Sequence, residues 1–123
     1  MKVPFIDLPK QYNLIKNEID AAIKDVVESG RFIMGEEVEK FEDTIGKYLD
    51  SKVVSCASGS DALFMCLKAA GIKGGDEIIT TPFTFFATAG AISRVGATPV
   101  FVDIKADSFN INVDLIEQKI NEN

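Results

Sequence analysis

The chain contains no histidine, and that absence removes a good deal of chemistry at once. A Ser-His-Asp or Cys-His catalytic arrangement cannot be assembled from these residues. The commonest zinc ligand is missing too, and Cys56 and Cys66, ten residues apart, match no paired-cysteine metal or redox spacing. One of these cysteines falls in an apolar strand-like stretch and the other on an apolar helical face. They read as two reduced, buried thiols of a cytoplasmic protein. Neither G-x-G-x-x-G nor G-x-x-x-x-G-K-[ST] occurs, which counts against the common nucleotide-binding loops. No block of basic residues is present, and the net charge of −6 argues against a nucleic-acid surface. No apolar run is long enough to cross a bilayer, so no membrane partner is expected. The opening Met1-Lys2-Val3-Pro4-Phe5 has no apolar core and small-residue cleavage site of a secretory leader.

What is present is an ordinary globular composition over 123 residues, 46% hydrophobic and 26% charged. Residues 1–9, with two prolines, read as an extended arm. Ile15, Ile19, Ala22, Ile23, Val26 and Val27 then recur at helical spacing, with Ser29-Gly30 as the stop. An apolar loop, Gly30-Arg31-Phe32-Ile33-Met34-Gly35, leads to a second helix that opens on Glu36 and Glu37. Its apolar stripe is Val38, Phe41, Ile45, Tyr48 and Leu49.

Beyond residue 51 the pattern alternates. Lys52–Ala57 predicts a short strand. Ser58-Gly59-Ser60 turns into a helix with Leu63, Phe64, Leu67 and Ala70 inward. Glu77–Thr81 predicts a second strand ended by Pro82. Thr84 is the expected N-cap of a helix running to Val95, and Thr98–Asp103 predicts a third strand. Asn112 is expected to cap a last helix carrying Leu115, Ile116 and Ile120. The order is β-α-β-α-β after two leading helices, an α/β arrangement with parallel strands and right-handed crossovers. Residues 1–123 read as one incomplete domain: 1–50 the arm and helices, 51–123 the start of an α/β cofactor-binding domain.

Two stretches carry candidate chemistry. At Ser58-Gly59-Ser60 a strand gives way to a helix N-terminus, where unpaired N–H groups and the helix dipole suit a phosphate dianion. Gly59 lets a phosphate approach the backbone, and the Ser60 hydroxyl can donate to it; an ordinary serine cap explains the same tripeptide. At Pro82-Phe83-Thr84-Phe85-Phe86-Ala87-Thr88 three phenylalanines follow the carboxyl end of a strand, where α/β sheets place ligands. Phe83 and Phe86 are expected in the core.

Six blocks in order resemble the DegT/DnrJ/EryC1/StrS sugar aminotransferases: Gly30–Gly35; Glu37-Val38 with Phe41-Glu42; Ser58–Leu63; Gly74–Ile79; Thr84–Thr88; and Gly96–Asp103. The resemblance implies a type I pyridoxal-phosphate fold. It implies that Gly59 and Ser60 contact the phosphate of pyridoxal 5′-phosphate and that Phe85 stacks on its pyridine ring. The family has Gly-Thr where this chain has Gly59-Ser60, and serine keeps the hydroxyl. The opening Val3–Leu8 with Gln11-Tyr12 is similar to members that aminate C3 of keto sugars.

The implied partners are a nucleotide-linked keto sugar, an amino-acid donor and a second copy in a homodimer. The family's pyridine-pairing aspartate and its cofactor-bonding lysine are absent here, so the chain alone is expected to be inactive and to supply no catalytic residue. The resemblance also implies that the first strand lies at one edge of the sheet. The second and third are expected to pair in parallel at the other. The rival readings are a non-catalytic phosphate-binding module and a subunit-interaction module.

Overall fold

The computed structural model describes residues 3–122; Met1 and Lys2 of the expected arm, and Asn123 at the end of the expected last helix, lie outside them. The chain divides into two compact units, Met1–Ser55 and Cys56–Asn123.

The first unit is built on two helices, α1 (Leu8–Ser29) and α2 (Glu36–Leu49). The arm is shorter than expected, because Asp7 caps α1 by accepting the Lys10 N–H at 3.1 Å. Pro9 is no obstacle, since it stands in the first turn where a backbone donor has no helical partner anyway. The helix is kinked at Ile15. Across that kink the Tyr12 hydroxyl donates to Asp20 at 2.6 Å, and Lys16 bonds to both. Gly30 ends α1 in the left-handed conformation, φ 65°, a region that costs glycine little. At Gly35 the reason for glycine is space: a Cβ would lie 2.6 Å from the Arg31 carbonyl oxygen. Of the apolar stripes, Ile19, Val26, Val38 and Ile45 are half-buried and the remaining large side chains are exposed.

The expected strand over 52–57 does not form. A strand exists through its ladder, and no strand pairs with this segment among the described residues. The Ser55 N–H is satisfied by the Glu42 carboxylate, at 2.6 Å.

The second unit contains α3 (Gly59–Ala69), β1 (Glu77–Thr80), α4 (Ala87–Arg94) and β2 (Thr98–Phe101), followed by 3-10 turns at Val113–Leu115 and Glu117–Lys119. β1 and β2 pair in parallel, as expected of the second and third strands, with Glu77 opposite Thr98 and Thr80 opposite Phe101. Thr98 donates to Asp76 and Val102 to Thr80, so the even-numbered residues of β2 face β1. Pro99 therefore turns its donorless nitrogen outward, the position in which a strand tolerates proline.

The core is small. Ala91, Ile92, Val95, Ala97 and Val102 are buried, and Phe64, Leu67, Ile72 and Ile78 pack around Ile92, Val95 and Ala97. α3 thus buries Phe64 and Leu67 only in part, while Leu63 and Ala70, expected inward, are exposed. They line an apolar groove of about 360 Å³ between α3, β1 and α4. Both cysteines are exposed, against expectation: Cys56 sits in the unformed strand, and Cys66 opens onto that groove. The expected last helix is replaced by the two 3-10 turns, though Asn112 does cap the first, accepting the Asp114 N–H at 3.2 Å.

Candidate cofactor site

α3 begins with two N–H groups, those of Gly59 and Ser60, free among the described residues. Ser58 is the N-cap, in extended backbone; its hydroxyl accepts the Asp61 N–H at 3.1 Å and donates to the Asp61 carboxylate at 3.1 Å. The Ser58 carbonyl accepts from Ala62 at 2.9 Å. The N–H groups of Gly59 and Ser60 bond no acceptor among the described residues, and neither does the Ser60 hydroxyl. A Cβ built on Gly59 would meet nothing within 4 Å, so the space in front of the turn is open. These are the conditions an anion needs at a helix terminus: donors pointing outward, positive dipole end, no side chain in the way.

The charge of Asp61 is paired and hydrogen-bonded. The Arg94 guanidinium, 2.7 Å away, and then the Ser58 hydroxyl hold its carboxyl below the ordinary 3.8. Arg94 stands in the last turn of α4, 33 residues on in sequence, and its guanidinium also lies 4.1 Å over the Phe64 ring. Local sequence patterns could not reveal this contact. It depends on α3 and α4 packing together.

The aromatic stretch leaves the carboxyl end of β1 as an irregular loop. Phe83 N–H donates to the Thr81 hydroxyl at 3.2 Å, Thr84 N–H to Pro82 at 3.0 Å, and Thr88 N–H to Phe85 at 3.1 Å. Thr84 does not cap α4 by its backbone position; Phe86 precedes the first helical residue, and the Thr84 and Thr88 hydroxyls bond each other at 2.8 Å. Phe85 is 78% exposed. Phe83 and Phe86, expected in the core, are 64% and 81% exposed. Their contacts are local. Phe83 lies 5.9 Å from the Phe109 ring, and Phe86 lies over Gly90, where a Cβ would come within 3.2 Å of it. No layer of the described structure covers this end of β1, so the rings have no core to enter. No group of three or more potential metal ligands occurs among the described residues.

The α/β frame, with its leading helices and parallel strand pair, is that of the type I pyridoxal-phosphate-dependent aminotransferases. The DegT/DnrJ/EryC1/StrS aminotransferase family profile matches residues 13–123, and the chain belongs to that family. Among curated relatives, a Geobacillus stearothermophilus protein named pleiotropic regulatory protein is 49% identical over 99% of this chain and 33% of its own length. The Pseudomonas aeruginosa UDP-2-acetamido-2-deoxy-3-oxo-D-glucuronate aminotransferase is 42% identical over 96% of this chain and 33% of its own. A DegT/DnrJ/EryC1/StrS aminotransferase from Brucella abortus superposes with a TM-score of 0.90 at 47% identity, covering 94% of this chain and 31% of that one. The Bacillus subtilis protein NtdA, solved with its cofactor PMP bound, gives 0.92 at 34% identity, covering 98% and 28%. The chain spans about a third of the length of the relatives it matches.

Proposed function

We propose that this chain provides the phosphate turn and one ring face of a pyridoxal-phosphate-dependent aminotransferase acting on a nucleotide-linked keto sugar. The observation that carries the reading is the open N-terminus of α3, with the Gly59 and Ser60 N–H groups unbonded among the described residues and free space at Gly59. The residues fit the cofactor: two backbone N–H groups and the Ser60 hydroxyl would hold its phosphate, and Phe85 would lie against its ring. When bound, the cofactor supplies the carrier on which an amino group passes from an amino-acid donor to the keto carbon. The chain's own residues bind and orient; Gly59 and Ser60 fix one end, and Phe85 limits the tilt of the ring and displaces water from one face.

Amination at C3 is the favoured position. The 3-oxo sugar named for the Pseudomonas relative and the 3-amino sugar named for a Streptomyces venezuelae transaminase, 40% identical over 97% of this chain, support it. The opening Val3–Leu8 with Gln11-Tyr12 points the same way. No lysine here stands in the family's cofactor-bonding context, so the 123-residue chain binds the cofactor's phosphate weakly and does not transaminate. We place the complete enzyme in the cytoplasm as a homodimer; among the described residues no helix is long and apolar enough to cross a membrane.

The test is titration of the ¹⁵N-labelled chain with pyridoxal phosphate. Shifts centred on the Gly59 and Ser60 amides are expected, and shifts elsewhere with none at those amides would overturn the site.

A further inference from the structure

Ser60 is followed directly by a carboxylate, and a carboxylate is a poor neighbour for a phosphate dianion. Asp61 suits the first turn of α3 in the absence of a ligand, because it faces the positive end of the dipole. Once an anion is to bind at Gly59 and Ser60, the same charge opposes it. The fold meets this conflict with a cation brought from another helix. Arg94 bonds one carboxylate oxygen of Asp61 at 2.7 Å, and the Ser58 hydroxyl donates to the other at 3.1 Å. Both oxygens are thereby turned to the Ser58 and Arg94 side. The guanidinium is steadied from below by the Phe64 ring, 4.1 Å from it.

We propose that Arg94 is a positioning residue for the cofactor-phosphate turn: it neutralises Asp61 and keeps its carboxylate engaged, so that the Gly59 and Ser60 donors are free for an anion. The inference rests on the phosphate reading given above. A planar, always-charged fork suits the task better than an ammonium, since it can bond the carboxylate and stack on Phe64 together. A purely structural role, pinning α4 to α3, predicts something different. It would make every ligand sensitive to loss of Arg94 and would not be repaired by removing the Asp61 charge.

The experiment follows the Gly59 and Ser60 amides of the labelled chain during titration with inorganic phosphate, with pyridoxal phosphate, and with pyridoxal, which has no phosphate. In Arg94→Met the apparent Kd for the two phosphate-bearing probes should rise roughly three- to tenfold, the scale of one uncompensated charge near the surface, and any pyridoxal binding should be unchanged. The double variant Arg94→Met/Asp61→Asn should return toward wild type. Phosphate binding indifferent to Arg94→Met, or not restored by Asp61→Asn, overturns the proposal. If Arg94→Met loses its dispersed spectrum, Asp61→Asn alone decides: equal or tighter phosphate binding upholds the proposal, and weaker binding overturns it. A wild-type chain whose Gly59 and Ser60 amides ignore both phosphate probes removes the phosphate site itself, a result distinct from a site that binds without regard to Arg94.

Discussion

The backbone N–H of Ser55 donates to the carboxylate of Glu42, thirteen residues earlier, at 2.6 Å. A side chain of α2 thus takes the place that a neighbouring strand's carbonyl would hold, and it ties Ser55 to α2. Hydrogen bonds to charged acceptors contribute about 1.5–3 kcal/mol. Glu42→Ala should lose about that much in the first unit and expose the Ser55 amide to exchange. Hydrogen exchange at Ser55 is the measurement; unchanged protection would mean the segment is held by something else.

Ile92 and Phe86 are both large apolar residues of the second unit, yet they should respond oppositely to truncation. Ile92 is 3% exposed in the centre of the core, and Ile92→Ala should cost about 2–5 kcal/mol. Phe86 has no such surroundings, and Phe86→Ala should fall within about 0.5 kcal/mol. Urea unfolding of the two variants checks the contrast. A large loss at Phe86 would show that its ring is packed.

Phe85 should matter only when cofactor is present. A hybrid in which this chain replaces the matching third of the Pseudomonas relative supplies the rest of the site. There Phe85→Ala should weaken pyridoxal phosphate by about 0.5–1.5 kcal/mol of ring contact, read by absorbance titration. Equal affinity in the two hybrids would remove Phe85 from the site. The same hybrid, offered 3-keto and 4-keto nucleotide sugars, should aminate the former.

The 123-residue chain mixed with pyridoxal phosphate and borohydride should give scattered, substoichiometric lysine labelling. One stoichiometric adduct at a single lysine, with turnover of a keto sugar, would contradict the proposed inactivity.

The Asp61–Arg94 pair has a pH signature. Because the folded pKa of Asp61 is held below its ordinary 3.8, the pair's contribution is fully present above that value and fades as pH falls through the folded pKa. Wild type and Arg94→Met should therefore differ in melting temperature at neutral pH and converge under strongly acidic conditions. A difference that persists in acid would assign the effect to Arg94 packing on Phe64.

Much of the fold was legible because it is locally encoded. Gly30 stops α1, Asn112 caps the turn that follows it, and the apolar runs at 77–80 and 98–101 pair in parallel. The misreadings share a cause. Lys52–Ala57, Leu63, Cys66, Phe83 and Phe86 have strand or core character by composition, but burial and pairing are properties of neighbours. Among the described residues no strand pairs with Lys52–Ala57, and Leu63, Cys66, Phe83 and Phe86 stay exposed apart from local contacts. The last helix failed for a different reason: short 3-10 turns carry the same Asn cap as a longer helix. In the candidate site, the Ser58-Gly59-Ser60 turn was readable from its residue types. Arg94 was not, since its role depends on a contact between two helices.

Pro99 has a consequence for how this chain can associate with itself. Among the described residues β1 and β2 pair only with each other, and a sheet with two usable edges can stack without limit. The outward face of β2 lacks a donor at Pro99, so a strand arriving there forms an interrupted ladder. Extension is then favoured on the β1 side alone. A unit with a single adhesive edge is used up once it meets a second copy by that edge. Self-association by strand pairing should therefore stop at pairs, with no growth into fibrils.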